Sequence, residues 1–159
     1  MVLIGIVAAG CDGEAPAEPV PQPQPLEGSW EATSVRDGDV PGVLYVFDPT
    51  SVDGREVSAH FIVDSSRLVI ERAGRYEHRV WVTQWLGDVG GPPVERTLRF
   101  FHGDFGEWSR DGAALRFESH WLMNHRMTGS FGTDGVLHMQ HGFSHGDPPV
   151  AFRYGRCID

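Results

Sequence analysis

The sequence predicts an all-β domain, an antiparallel up-and-down β-barrel of about eight to ten strands, with a β-sandwich as the alternative. Apolar and polar residues alternate with a period of two over several short segments, which is typical of strands with one buried face. Runs rich in Gly, Asp and Pro separate these segments. No window of about eleven residues or more has a comparable helical period. These observations favour sheets over helices.

Four segments show the alternation most clearly. In each of them apolar side chains recur at every second position, so that one face of the strand is mostly apolar and the other mostly polar. The residues predicted to share an apolar face are Val57, Ala59, Phe61 and Val63, then Tyr76, His78, Val80 and Val82, then Leu115, Phe117, Ser119 and Trp121, and finally Leu137, Met139 and His141.

Asp-Gly pairs mark the predicted hairpin turns. A type I′ turn needs positive φ at both central positions, and Asp-Gly meets that need with little strain. We expect one hairpin between residues 107–110 and 114–120, and a second between residues 127–131 and 136–140. The four pairs are Asp37-Gly38, Asp53-Gly54, Asp111-Gly112 and Asp134-Gly135.

The start of the chain predicts its location. Residues 1–10 are uncharged and mostly apolar, and small residues stand directly before Cys11. This resembles the lipobox of bacterial lipoprotein signal peptides, in which a peptidase cuts before a cysteine that carries diacylglycerol. The resemblance implies that residues 1–10 are a signal peptide and that Cys11 is the lipid-attachment site. A basic n-region is missing, which a start codon placed too far downstream would explain. A short buried strand that ends in cysteine is the alternative.

Residues 11–25 form the predicted tether. Prolines alternate there with Glu, Ala, Val and Gln, which favours an extended polyproline-type spacer. At about 3.1 Å per residue it would hold a folded domain roughly 40 Å from its anchor. Two or three acyl chains anchor a protein stably. We therefore expect a membrane-anchored lipoprotein of the bacterial cell envelope that faces the periplasm or the cell exterior, with residues 26–159 as its folded domain.

Charge and cysteine content limit the possible partners. The formal net charge is −9, whereas nucleic-acid phosphates require a basic protein face. We therefore predict no nucleic-acid partner, and a membrane contact made only through the N-terminal acyl chains. The chain has two cysteines, Cys11 and Cys157. Acylation of Cys11 leaves no intramolecular disulfide, and a Cys11–Cys157 disulfide is the alternative.

The first predicted strand carries a second resemblance. Leu26-Glu27-Gly28-Ser29-Trp30 follows the tether and looks like the Gly-x-Trp start of lipocalins and bacterial lipocalin-like domains. The resemblance implies that residues 26–159 form a lipocalin-like barrel whose closed end is plugged by Trp30. It also implies that a basic residue of the last strand, Arg153 or Arg156, lies across this tryptophan. Such a cation–π contact is worth about 0.5–2 kcal/mol.

Two functions remain open for such a barrel. An eight-stranded barrel is about wide enough to enclose one small ligand or to be filled by its own side chains. In the first case the protein binds or carries a small hydrophobic ligand. In the second it is a non-enzymatic structural or interaction lipoprotein that binds an envelope protein partner through its loops, such as residues 87–93 and the loop around Phe143. The residues predicted to face an internal ligand are Phe61, Tyr76, Phe100, Phe117, Trp121, Met139 and Phe152.

The histidines and serines show no recognisable metal or catalytic pattern. His138 and His141 would face opposite sides of a strand unless a bulge intervenes, and their spacing with His145 matches no zinc template. Ser144 lacks the Gly-x-Ser-x-Gly context of a nucleophile elbow. We therefore predict no metal, no cofactor and no catalytic residue. A hydrolase or isomerase that works at the barrel mouth is the enzymatic alternative.

Overall fold

The computed structural model describes residues 25–121, 126–143 and 148–157. These residues form β-strands and no helix, and none of them belongs to a helix long and apolar enough to cross a membrane. The predicted signal peptide, Cys11 and nearly all of the tether lie outside the described residues. The strands are β1 (Gly28–Val35), β2 (Gly38–Asp39), β3 (Gly42–Val52), β4 (Arg55–Ile70), β5 (Arg75–Gly87), β6 (Glu95–Asp111), β7 (Ala114–Ser119), β8 (Arg126–Phe131), β9 (Leu137–His141) and β10 (Val150–Arg156).

Eight of these strands close a barrel. From β4 to β10 each strand pairs with the next in an antiparallel meander, and β1 pairs with β10. The ring closes because residues 28–31 of β1 also pair with residues 67–70 of β4. Strands β2 and β3 are added at the two ends of the sheet order. The predicted up-and-down barrel is therefore confirmed, and the β-sandwich alternative is wrong.

The barrel interior follows the predicted alternation. On β5, every second side chain from Tyr76 to Val82 is buried. On β9, Met139 and His141 are buried but His138 is not, so His138 and His141 do face opposite sides of the strand. Buried side chains from all around the ring form one apolar core. This core stabilises the barrel by removing its apolar surface from water.

A four-stranded wing extends beyond the barrel. Strand β3 pairs with residues 55–63 of β4, and β7 pairs only with residues 106–111 of β6, so the first halves of β4 and β6 lie outside the ring. A small separate core of Val57, Ala59 and Leu86 holds the wing together. Ser58 is buried as well, because Gly90 N of the β5–β6 loop donates to its hydroxyl at 2.9 Å. Ser58 lies on the face opposite Val57 and Ala59, and its burial is not what the alternation alone predicts.

Both predicted hairpins form, between β6 and β7 and between β8 and β9. The turn geometry is less uniform than the four Asp-Gly pairs predict. Asp53 (φ 50°) and Gly54 (φ 76°) both take positive φ, as a type I′ turn requires. In the β6–β7 turn, Asp111 instead pairs with Ala114. The centre of this turn therefore lies one residue later in the chain than the Asp111-Gly112 pair predicts, and Gly112 has φ 59°.

Candidate functional site

Trp30 is buried where β1 pairs with both β10 and β4. Its ring is fully buried, its Nε1 donates to the Leu26 carbonyl at 2.9 Å, and Phe131 packs edge-on with the ring centroids 5.6 Å apart. Arg156 lies over the ring, with its Cζ 5.7 Å from the centroid. Arg153 is exposed on the outer face of β10. Alternation along the strand explains the difference, because Arg156 shares its parity with buried Tyr154.

The same guanidinium ties the start of the domain to its last strand. Arg156 Nη1 donates to the Pro25 carbonyl and Nη2 donates to the Glu27 carbonyl, each at 2.7 Å. The segment that leads from the tether into β1 is therefore held at the end of the barrel where β1 begins. The contacts of Arg156 thus join the first and last parts of the domain at this end of the barrel.

Most of the residues predicted to face an internal ligand are packed core. The side chains of this group expose 1–3% of their surface, whereas side chains around an empty lumen would keep surface open to a water-sized probe. Phe61 and Phe100 are half-buried and lie against each other at the edge of the core, with ring centroids 6.1 Å apart. The packed residues are Tyr76, Phe117, Met139 and Phe152.

Trp121 lies outside the barrel. It is 69% exposed, so the prediction that it faces the interior is wrong. The physical reason is that β7 ends at Ser119, and alternation along a strand says nothing about a side chain beyond its end.

A buried polar cluster occupies the middle of the barrel. The Tyr154 hydroxyl lies 2.8 Å from Ser66 Oγ, 3.0 Å from His78 Nε2 and 3.3 Å from His141 Nε2. These side chains come from β10, β4, β5 and β9, and the two imidazole rings are 4.6 Å apart. Burial raises the pKa of the Tyr154 phenol above its ordinary value, and the hydrogen bond with Ser66 opposes this shift.

This cluster has the composition of a catalytic pair but not its accessibility. Ser66 Oγ lies 3.0 Å from His78 Nε2, which is the distance of a nucleophile and its base. All four side chains are, however, at most 3% exposed. The arrangement is that of a hydrogen-bonded core network. The sequence signal for it was the presence of His78 and His141 at positions of otherwise apolar faces.

A second buried network surrounds Asp104. The sequence alone did not predict this network. Asp104 Oδ2 accepts from the Tyr76 hydroxyl at 2.7 Å, and Oδ1 accepts from Ser119 Oγ and from Phe105 N at 2.9 Å. The carboxylate thereby joins β5, β6 and β7. Burial, followed by the hydrogen bond with Asp104, raises the pKa of the Tyr76 phenol above its ordinary value. Asp104 also lines a groove on the described surface.

That groove runs over the outer face of β5 and β6, and we call it the outer groove. Its volume is about 920 Å³. Gly103 and Gly106 are among its lining residues. The Phe101 ring is turned over Gly103, where a Cβ would lie 2.7 Å from two ring atoms. At Gly103 the groove surface is therefore formed by the neighbouring Phe101 ring.

Four exposed aromatic side chains lie along this face, and we call them the aromatic strip. Trp81, Phe101, Phe105 and Trp121 are 41–69% exposed. Trp81 pairs directly with Phe101 across the strands, with ring centroids 4.9 Å apart, and Phe105 lies 6.2 Å from Trp121. Clustered exposed apolar surface of this kind marks interaction sites more often than scattered residues do. The sequence signal was Trp81, an aromatic residue on the otherwise charged face of β5.

The charged side chains around the outer groove are paired with one another. Three carboxylates at its rim face basic groups, so the rim offers both hydrogen-bond donors and acceptors. The pairs are Glu71 with Arg75 at 3.2 Å, Glu77 with Arg79, and Glu107 with His120 at 3.9 Å, the last being an ion pair when the imidazole is protonated.

The two loops predicted to bind a protein partner are anchored to the body. In the β5–β6 loop, Gly90 N donates to the Asp48 carboxylate at 3.0 Å. Phe143 stacks on His141 with ring centroids 5.8 Å apart, and residues 144–147 of its loop lie outside the described residues. Both loops are thus held by contacts with neighbouring strands, and Val89 of the β5–β6 loop is 52% exposed.

The metal-ligand content is known for residues 25–121, 126–143 and 148–157. Within these ranges no group of three or more His, Cys, Asp or Glu side chains could hold a metal ion. His125 and His145 lie outside them.

Comparisons of the chain with protein-family models, with curated proteins and with solved structures find no match. The geometry described above is therefore the basis of the functional proposal.

Proposed function

We propose that this chain is a bacterial cell-envelope lipoprotein whose filled, lipocalin-like barrel is a binding module that recognises its partner on its outer face. One contrast carries the proposal. The side chains named for an internal ligand are packed into the core, whereas the aromatic strip is 41–69% exposed. A carrier with an internal site needs the opposite distribution, with a spacious lumen and a polar outer surface.

The exposure of the aromatic strip also has an energetic cost. Burying apolar surface is worth about 25 cal/mol per Å², so a fold that leaves four aromatic side chains together in water forgoes part of that gain. Trp, Tyr and Phe are also the side chains that contribute most at binding surfaces. Selection for stability alone would not keep such a strip beside a well-filled core.

The anchor is the second part of the proposal. We infer that Cys11 carries diacylglycerol and that residues 11–25 hold the domain roughly 40 Å from the bilayer. Arg156 holds the start of the domain against the last strand. The outer groove lies on β5 and β6. Tyr76 of its lining pairs with Ile70, which in turn pairs with Gly28, so the groove lies near the end of the barrel where the chain enters β1.

The test compares internal and external binding in the full chain, extracted in mild detergent. Native mass spectrometry is expected to find no co-purified hydrophobe, and a fluorescent fatty acid is expected to give no saturable signal. Envelope material bound by the native chain should be lost from a Trp81→Ala, Trp121→Ala double variant. It should be kept by Phe47→Ala, because Phe47 is an exposed aromatic residue of β3, away from the groove. A fatty acid bound at one equivalent per chain would contradict the proposal.

A further inference from the structure

We propose that the outer groove binds an uncharged oligosaccharide, whose sugar rings stack on the aromatic strip and whose hydroxyls bond the charged pairs at the rim. This inference rests on the proposed function, since it names the ligand class of the same site. Shape, aromatic spacing and charge each support it.

The shape fits an elongated small ligand better than a folded protein. Sites for small molecules are concave, with volumes of roughly 300–1,000 Å³, and the outer groove has about 920 Å³. A stable protein partner instead covers about 800 Å² on each side of a broad interface. Phe101 and Phe105 both line the outer groove, and a short chain of sugar rings can reach both.

The aromatic strip provides two stacking positions. Phe101 and Phe105 lie on the same face of β6, four residues apart, which places their Cα atoms about 13 Å from each other. Trp81 adjoins the first position and Trp121 the second. The Phe101 ring covers Gly103 between them. A pyranose ring has an apolar face of C–H groups and a polar edge of hydroxyls, so it stacks flat on rings exposed in this way.

The charges favour an uncharged ligand. Glu71 and Glu77 are each paired with an arginine whose side chain, like theirs, is roughly half exposed or more. A phosphate or carboxylate ligand would have to compete with these carboxylates for the guanidinium groups, and a cationic ligand would have to compete with the arginines. The chain's net charge of −9 further disfavours anions. Paired carboxylate and guanidinium groups still accept from and donate to hydroxyls at their free edges.

The experiment uses the full chain in detergent micelles with three probes. Chitohexaose and cellohexaose are uncharged hexasaccharides, and a hyaluronan hexasaccharide is the anionic counterpart. Isothermal titration calorimetry is expected to detect binding of at least one uncharged hexasaccharide to the chain and no binding of the hyaluronan hexasaccharide. Trp121→Ala and Phe105→Ala should each weaken this binding about tenfold, equal to about 1.4 kcal/mol. Trp121→Phe should recover most of the affinity, and Phe47→Ala should leave it unchanged.

Several outcomes overturn the inference. These are the absence of binding by both uncharged probes up to about 10 mM, tighter binding of hyaluronan, or equal affinity in the native chain and the Trp121→Ala variant. Because Trp121 is 69% exposed, its replacement leaves the fold intact, which circular dichroism checks. If no probe binds but the same variants lose a protein partner from the envelope, the oligosaccharide inference fails and the proposed function stands. If a fatty acid binds inside the barrel, the proposed function fails.

Discussion

The guanidinium of Arg156 lies 5.7 Å above the Trp30 ring and donates hydrogen bonds to the carbonyls of Pro25 and Glu27. One side chain of the last strand thus covers Trp30 and fixes the segment that precedes the first strand. Both residues therefore contribute contacts between the first and last strands of the barrel.

Removing the Trp30 ring should therefore be costly. Trp30→Ala is expected to lower the free energy of unfolding by about 3–5 kcal/mol, as for other large buried aromatic residues. Arg156→Ala should cost about 1–3 kcal/mol, because it removes a cation–π contact and two charge-assisted hydrogen bonds. Urea unfolding followed by tryptophan fluorescence measures both. Arg153→Ala is the matched control, with an expected change within about 0.5 kcal/mol, and an equal loss in the two arginine variants would contradict this account.

The Tyr154 hydroxyl is expected to contribute to stability through the buried cluster. Tyr154→Phe keeps the ring but removes the group that Ser66, His78 and His141 contact. Leaving buried polar atoms with fewer partners should cost about 1–3 kcal/mol, measured by thermal or urea unfolding. Tyr45→Phe is a tyrosine control outside this cluster. A Tyr154→Phe variant as stable as the native chain would show that the cluster is energetically neutral.

Alkaline pH should destabilise the fold. The folded-state pKa values of Tyr76 and Tyr154 are raised above the ordinary tyrosine value of about 10. The stability from these raised pKa values is fully present below about pH 10 and is lost as the pH rises further, because the unfolded chain then releases protons that the folded chain keeps. Ultraviolet titration of tyrosinate should show two of the three tyrosines ionising only together with unfolding. Reversible ionisation of all three in the folded protein would contradict the burial of Tyr76 and Tyr154.

Gly106 should tolerate substitution less well than Gly103. A Cβ on Gly106 would lie 1.9 Å from the Glu118 carbonyl oxygen, which is backbone of the paired strand β7. A Cβ on Gly103 would meet the exposed Phe101 ring, which can turn away. Gly106→Ala is therefore expected to cost about 1–3 kcal/mol and Gly103→Ala much less, as compared by urea unfolding. A larger loss of stability for Gly103→Ala than for Gly106→Ala would contradict the close contact between Gly106 of β6 and Glu118 of β7.

Alternation along the chain predicted the faces of β5 and β9, and the turn residues predicted both hairpins. The burial pattern of the wing was not predictable in this way. Ser58 is a polar residue, yet it is buried and accepts a hydrogen bond from Gly90, which is 32 residues away in the chain. Barrel closure depends on the pairing of β1 with β4, which no local pattern encodes. The roles predicted for Trp30 and for Arg153 or Arg156 came from the family resemblance. The alternation of side chains along β10 explains why Arg156, and not Arg153, lies over Trp30.

The candidate site was less predictable than the fold. Trp81 stands on the charged face of its strand, which was the available signal for the aromatic strip. Trp121 was placed inside the barrel because its strand was extended two residues too far. The burial of Asp104 was not predictable, since an aspartate in a strand is usually solvated and this burial depends on Tyr76 and Ser119.

The anchor has its own test. Cys11→Ser is expected to release the chain from the membrane fraction while leaving the circular dichroism of the domain unchanged, because the acyl chains and the barrel are separate parts. Intact-mass measurement should find the native chain cleaved before Cys11 and carrying acyl groups. A mature protein that retains residues 1–10, or a Cys11→Ser variant that still sediments with membranes, would rule out this anchor.

The central claim is that the molecule binds on its outside and is filled within, and the indole N–H signals of its five tryptophans test it most directly. These signals can be assigned by single Trp→Phe substitutions and followed by two-dimensional NMR of the full chain in micelles. With chitohexaose or cellohexaose, the account predicts saturable shifts of Trp81 and Trp121 and none of Trp30. With a soluble fatty acid, it predicts no saturable shift. A saturable movement of the Trp30 signal on adding fatty acid, with Trp81 and Trp121 silent towards every ligand, would contradict it.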